Sequence, residues 1–292
     1  MAAVETERIQ DSRRAMATKF ARRLFRNKMV AVAFGILIAF LFVAAFSDAV
    51  APSDPLQGDL RLRLVSPSAE HLLGTDHQGR DMLSRVIAGS RVALMVGFVA
   101  VGLGLVIGGV LGIVAGYYGG TIDTLIMRAM DVILAFPWLL LVIAVVSILG
   151  PSLVNAMLAI GITLIPHYAR LLRSVVLTTR EGDFVQAAKA LGASDLRILV
   201  QHIAPHTVGQ TIVLSTVSLG KAILAEAGLS FLGLGVQPPT PSWGNMIAVG
   251  QDYLMTHPYL SIVPGVAVML VVIALNIFGD GLSDALNPRK RN

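Results

Sequence analysis

Apolar positions in this chain come in long unbroken runs, not at every second place as in a half-buried strand or on one face as in a surface helix. Met29 to Ser47, a stretch within Val92 to Ile122, the run Val132 to Pro166, the stretch from Pro205 to about Leu234 and one within Tyr253 to Gly279 are free or nearly free of charge. About 20 apolar residues cross a bilayer as a helix, and a helix satisfies its backbone groups internally where no water is present. The run Val132 to Pro166 is too long for one crossing and has Gly150-Pro151-Ser152 near its middle, which predicts a tight hairpin between a third and a fourth span. The pattern therefore predicts an all-α integral membrane protein with six transmembrane helices. It divides into a basic segment at 1–28, a first helix at 29–50, an extracytoplasmic loop with a short helix at 51–91, a five-helix core at 92–282 with a polar loop at 170–205, and a tail at 283–292.

Composition removes the soluble alternative. The 292 residues are 55% hydrophobic and 14% charged, with mean hydropathy +0.73 and 28 glycines. There is no cysteine, hence no disulfide framework and no thiol chemistry.

Charge sets the orientation, because Lys and Arg accumulate on the cytoplasmic side. Arg8, Arg13, Arg14, Lys19, Arg22, Arg23, Arg26 and Lys28 precede the first span, and Arg289, Lys290 and Arg291 follow the last. Both termini are thus expected in the cytoplasm, together with the loop flanked by Arg170, Arg173 and Arg180. The stretch from Gln237 to Asp252 has no Lys or Arg and falls outside. Arg61, Arg63, Arg80 and Arg85 also fall outside, offset by Asp54, Asp59, Glu70, Asp76 and Asp81. Ala49-Val50-Ala51 after an apolar run resembles a signal-peptide end, but the run exceeds the usual core of such peptides and Pro52 follows directly, so the first helix is read as retained. The basic start serves topology and contact with anionic lipid, not nucleic acid.

Gly104, Gly108, Gly112 and Gly116 recur every four residues within the second span and form a groove. In lipid, where small residues let backbones approach, such a groove predicts a tightly packed helix partner.

The polar interval from Asp183 to Pro205 interrupts the apolar runs. Asp183 can cap a short helix over Phe184 to Leu191, and Gly192 sits where a left-handed residue would end it. Ser194 can cap a second helix that begins at Asp195, carries Leu196 and stops at Pro205. The resulting helix-turn-helix presents Phe184, Ala187, Ala188 and Leu191 along one side. Spacing fits a helix-in-groove ligand for another protein and an amphipathic segment on lipid headgroups equally.

The order Gln186-Ala187-Ala188, three residues, Gly192, nine residues and an ending at Pro205 resembles the cytoplasmic coupling loop of ABC importer permeases. That loop reads Glu-Ala-Ala, Gly, then Ile-x-Leu-Pro. Gln186 replaces the Glu, His202 the Ile and Ala204 the Leu. Further matches are Gly74-Thr75-Asp76 with Gly79-Arg80-Asp81, Gly119-Gly120 with Ile122-Asp123, Ala225 to Gly235 continuing through Gln237 to Gly244, and Gly279 to Pro288, where Asn287 replaces the usual Asp. Together they run from about Arg22 to Pro288 and are similar to the C-type permease subunit of the dipeptide, oligopeptide and nickel importer group.

The resemblance implies a type I ABC importer permease fold in the bacterial inner membrane, acting by alternating access. It also implies partners: a B-type permease, two ATP-binding subunits or one fused ATPase, and a periplasmic or lipid-anchored substrate-binding protein. ATP and Mg would sit in the ATPase subunits, with no cofactor on this chain. The implied ATPase-coupling residues are Asp183, Phe184, Gln186, Ala187, Ala188, Leu191, Gly192, Ser194, Asp195, Leu196 and Pro205. Peptides are the expected cargo; nickel, glutathione or another small solute is the alternative, since specificity would reside mainly in the binding protein.

Ionisable residues inside a span are costly and mark function by default. Lys221 and Glu226 stand in the fifth span, about 24 and 31 Å along a helix counted from Pro205. Their spacing of five is not that of stacked helical neighbours, and they read equally as an outer gate or as interfacial groups, Lys221 snorkelling and Glu226 wet. Ser215, Ser218, Asn155 and Thr163 are further candidate pathway groups, or else helix-packing contacts. At Thr75 and Gln78 the spacing is that of a capping box and predicts a helix start.

No catalytic constellation is present. Gly220-Lys221 lacks the rest of a phosphate loop, His202 and His206 flank Pro205 without a third metal ligand, and Ser230 has no evident base. A secondary transporter would need an internal repeat and midplane carboxylates, and a scaffold would need no ATPase dock.

Overall fold

A computed structural model describes residue 20 and residues 22–286. Arg8, Arg13, Arg14, Lys19, Asn287, Pro288, Arg289, Lys290 and Arg291 lie outside the described residues.

The described residues form helices joined by short turns and one long segment at 51–81, whose sole bridge pairs Thr75 with Asp81. Helix α1 spans Lys28–Ala45 and is capped by Asn27, whose side chain accepts from the Met29 N–H. Helix α2 spans Met82–Tyr118, and its 37 residues reach about 55 Å, well beyond a hydrocarbon core of about 30 Å. It starts ten residues before the charge-free window that marks it in the sequence, because Asp81, not Thr75, is its cap: the Asp81 carboxylate accepts from the Ser84 N–H at 2.8 Å. Arg85 and Arg91 therefore lie within the helix and not in a loop. Thr75 is instead buried, its hydroxyl accepting from the Val65 N–H.

The region of the expected third span departs from expectation. Helix α3 (Gly120–Leu134) and helix α4 (Trp138–Leu149) meet at 87° across a break ending in Pro137. Gly119 and Gly120, with φ of +68° and +55°, turn the chain out of α2. The predicted hairpin at Gly150-Pro151-Ser152 is present, with Gly150 at φ +91°. Helix α5 (Leu153–Thr179) runs through Pro166 and on past Arg170 and Arg173. A bidentate pair of Arg173 with Asp123 at 2.5 Å and a single bond from Arg170 to Asp131 at 2.7 Å keep those cations paired.

After helix α6 (Asp183–Ala190), the turn Asp195–Arg197 leads through a π-helical stretch, Ile198–Ile203, into helix α7 (Ala204–Phe231). Pro205 does not stop the second short helix as expected. The wider π turn ahead of it accommodates a residue that has no N–H to donate, so the chain runs on as one span from Asp195 to Phe231. Helix α8 (Trp243–Gln251), capped by Ser242, and helix α9 (Tyr259–Leu286) complete the chain. Five of these helices are long and apolar enough to cross a membrane, or six crossings result if the bent α3–α4 pair counts as one.

Two apolar clusters hold the bundle. One joins α2, α4, α5 and α7 through Val96, Val142, Tyr168 and Leu229; the other joins α1, α2, α7, α8 and α9 through Ala33, Ala93, Ile223, Trp243 and Val268. The most extensive helix pair is α2 on α5, where the four-residue glycine repeat lies. A Cβ at Gly104 would stand 2.7 Å from Leu164 Cβ and one at Gly116 would stand 2.8 Å from Val176 Cβ, while at Gly108 and Gly112 it would collide with the Ile165 and Ala169 carbonyl oxygens. The partner anticipated for the groove is thus α5 of the same chain.

Candidate coupling site

Helix α6 begins at Asp183, with Gly182 in the cap position and no side-chain cap bond. Asp183 is therefore not the cap; it stands in the first turn, where its charge suits the positive end of the helix, as Lys189 suits the last turn. Gly192 ends the helix at φ +79°. The Gly192 N–H donates to the Lys189 carbonyl at 2.9 Å and the Ala193 N–H to the Ala188 carbonyl at 3.1 Å, a complete Schellman turn. Ser194 occupies the cap of the next turn, but its side chain makes no capping bond.

The two arms divide into an inner and an outer face. Val185, Ala188, Ile198 and Ile203 pack with Val176 of α5 and Tyr117 of α2. Ala188, expected on the presented side, faces this core, since the i, i+3 spacing of Val185 and Ala188 turns it inward. Phe184, Ala187, Leu191 and Leu196 remain outside, Leu191 at 88% and Leu196 at 72% exposure. An exposed group of large apolar side chains beside polar residues marks a contact surface for a protein or a membrane. Gln186, at the position of the family's Glu, donates to the Arg180 carbonyl at 3.1 Å and braces the start of the helix. Phe184 lies 5.3 Å from the ring of His206 at the root of α7.

Tyr117 fastens both arms to the end of α2. Its hydroxyl donates to Asp195 at 2.6 Å, and Lys189 lies 5.2 Å from its ring centroid. Arg180 donates to the Gly116 carbonyl at 2.8 Å, closing the C-terminus of α2. Sequence reasoning missed Tyr117 because an aromatic residue at the end of an apolar span signals only a membrane interface, and nothing local pairs it with Asp195, 78 residues away. Tyr117→Phe is expected to cost about 1.5–3 kcal/mol of local stability, the range for a hydrogen bond to a charged group. Faster amide hydrogen exchange confined to 183–197 would register it.

The intramembrane groups are arranged differently from the pair suggested by the sequence. Lys221 is exposed, Glu226 is 1% exposed, and no ion pair joins them. Glu226 is thus not wet. It accepts from Ser230 at 2.6 Å and from Ser242 at 3.0 Å, tying the end of α7 to the cap of α8. Ser230 in turn accepts from the Val236 N–H at 3.0 Å. Ser215 receives the Tyr168 hydroxyl at 2.9 Å, and Ser218 is buried. Thr163 donates to the Ile160 carbonyl at 2.7 Å, and Asn155 donates to the Leu149 and Gly150 carbonyls, locking the α4–α5 hairpin.

The family model described as binding-protein-dependent transport system inner membrane component matches residues 108–292, and that of the N-terminal TM domain of oligopeptide transport permease C matches residues 17–67. The dipeptide transport system permease protein of Alkalihalophilus pseudofirmus is 45% identical over 271 residues, covering 93% of this chain and 89% of that one. The di/tripeptide transport system permease protein of Pseudomonas aeruginosa is 44% identical over 88% of this chain and 86% of its own. The glutathione transport system permease protein of Pectobacterium atrosepticum is 41% identical over 94% and 91%. With these likenesses covering both the glycine-packed bundle and the helix-turn-helix, the chain belongs to the binding-protein-dependent transport system inner membrane component family, as a multi-pass protein of the inner membrane.

Proposed function

We propose that this chain is the C-type permease subunit of an ATP-driven importer of di- or oligopeptides, and that its helix-turn-helix at 183–203 is where a partner ATPase grips it. The observation that carries the coupling reading is the split of that element into a face buried on α2 and α5 and an apolar face, Phe184, Ala187, Leu191 and Leu196, left outside. A lipid-lying segment would have no need of the Tyr117 and Arg180 ties that make the element move with the bundle. The peptide cargo rests on the dipeptide and di/tripeptide relatives, which are the more similar, and the glutathione relative follows slightly behind.

In this reading the bent α3–α4 pair is one crossing, so six crossings bring the helix-turn-helix and both ends of the bundle to the cytoplasmic side. A B-type permease completes the pathway. Two ATP-binding subunits or one fused ATPase hold ATP and Mg, while this chain is a transport subunit and not an enzyme. A substrate-binding protein delivers the peptide at the opposite end, where Glu226 fastens α7 to α8. Closure of the ATPases pushes on the exposed face, and α2 and α5, rigid along their glycine seam, carry the displacement across the membrane.

Glu226 is assigned to the outer gate, with Ser215, Ser218 and Lys221 along the same helix. Asn155 and Thr163 are assigned to helix structure, because their polar groups are taken up by nearby carbonyls. Glu226→Ala is expected to leave Ser230 and Ser242 without their acceptor at a cost of about 1–3 kcal/mol, and to leave hydrolysis running while uptake fails. Glu226→Gln, which keeps an acceptor, is expected to retain most uptake. Proteoliposomes holding the assembled importer, with ATP on the ATPase side and labelled Ala-Ala and binding protein on the other, test the function. Uptake requiring ATP and this chain is expected, and uptake indifferent to ATP would contradict it.

A further inference from the structure

At the end of α2 opposite the coupling site, the 76–85 and 238–250 segments line a partly open cavity of about 100 Å³. That is ample room for several waters or for one small planar anion. Asp76, Arg80 and Arg85 are the charged residues on its wall, joined by His77, Gln78, Thr240 and Asn245. The Asp76 carboxylate is already fully engaged. One oxygen accepts from the backbone N–H groups of Gln78 and Arg80 at 2.8 and 3.0 Å, and the other accepts Arg80 Nε at 2.7 Å and lies 3.5 Å from Arg85 Nε.

The two guanidiniums are not matched in the same way. Arg85 spends one terminal nitrogen on the Pro55 carbonyl at 2.9 Å, while the Arg80 terminal nitrogens and the second of Arg85 make no hydrogen bond among the described residues and are not fully closed off from solvent. Arg80 and Arg85 are only 6% and 5% exposed, so little water surrounds their side chains. His77 adds a buried Nδ1 without a partner. Burial is the first cause that lowers its pKa below the ordinary value, ahead of the opposing effect of Asp76, so it is neutral at pH 7 and adds no charge of its own. Two arginines against one aspartate leave one positive charge on the wall.

We propose that this cavity is a binding site for a single carboxylate group, received by the unused terminal N–H donors of Arg80 and Arg85. A planar monoanion matches both the fork geometry of guanidinium and the single excess charge. The carboxylate has two sources in an importer: the C-terminus of a peptide, or an acidic side chain of the binding protein. Only this choice of source rests on the importer reading; carboxylate binding itself does not.

The probe is sodium acetate, titrated into the purified full-length chain with its co-purified subunits at constant ionic strength, against neutral acetamide. The expected result is a saturable rise in the thermal midpoint with acetate and none with acetamide. Arg85→Gln is expected to weaken the half-saturating concentration about tenfold or more, the loss of one charge-assisted contact. Should Arg85→Gln fail to fold, Val249→Phe, which fills the cavity while leaving its charges, is expected to abolish the response. Arg91→Gln, removing an exposed cation paired with Asp48 elsewhere, is expected to leave it unchanged. No saturable shift, an equal shift with acetamide, or a shift that survives Arg85→Gln or Val249→Phe would overturn the proposal. Ala-Ala-Ala competing with acetate where its C-terminal amide does not would assign the site to the peptide. Competition by the purified binding protein alone would assign it to a side chain of that protein. Competition by neither would overturn a role in transport.

Discussion

Gly108→Val is expected to keep the chain from folding. The seam of α2 on α5 brings Gly108 so close to the Ile165 carbonyl that a Cβ cannot be placed there, and neither backbone can retreat without unpacking Tyr168. Adding methylenes to an ordinary packed core costs about 1–3 kcal/mol, and here the obstacle is a helix backbone, not a movable side chain, so the cost lies at or above the top of that range. In lipid no hydrophobic effect offsets it, since helix association there rests on close packing. The measurement is the monodisperse fraction in mild detergent after expression, with Gly102→Ala as control. A Cβ at Gly102 has nothing within 4 Å, and this substitution is expected to be harmless. Equal yields for the two would show that the glycine seam is not what holds these helices.

Gly192→Val is expected to leave the bundle folded and to cut transport about tenfold or more. Gly192 has no heavy atom within 4 Å of its Cβ position, so the harm is conformational only. Its φ of +79° costs a non-glycine residue about 1–2 kcal/mol, and a β-branched residue more. At about 1.4 kcal/mol per factor of ten, the turned form loses tenfold or more against opened forms. Uptake should therefore fall about tenfold or more, with the thermal midpoint of the permease little changed. Asn, which tolerates the left-handed region, should fall between Gly and Val. Full uptake by the Val variant would mean that the turn is not used.

The helix-turn-helix was legible because its signals are local: Gly192 as a C-terminal turn and the interval of polar residues between apolar runs. So was the glycine seam, since its period of four is visible in the sequence, although its partner was not. Helix ends were less legible wherever charge was satisfied by tertiary pairing. Arg85 can stand within the first turn of α2 because Asp76, 9 residues earlier in the chain, folds back against it, and α5 continues past Pro166 with Asp123 and Asp131 from α3 pairing Arg173 and Arg170. The break at Pro137 and the absorption of Pro205 by a π turn show opposite outcomes for the same residue type, decided by what surrounds it. Glu226 stands out in the sequence as a carboxylate within a span, but its partners are not legible there: Ser230 reads only as a nucleophile without a base, and Ser242 lies 16 residues on beyond a loop.

The most direct test of the coupling claim places a photoreactive side chain at Leu191, the exposed tip of α6, in the assembled importer in native membranes. Irradiation and mass spectrometry then identify what it touches, with the same group at Val185, buried on α5, as the internal control. Adducts with an ATP-binding subunit from Leu191, absent from Val185, are the predicted result. Adducts from Leu191 with phospholipid alone would contradict the account and make the helix-turn-helix a membrane-lying segment.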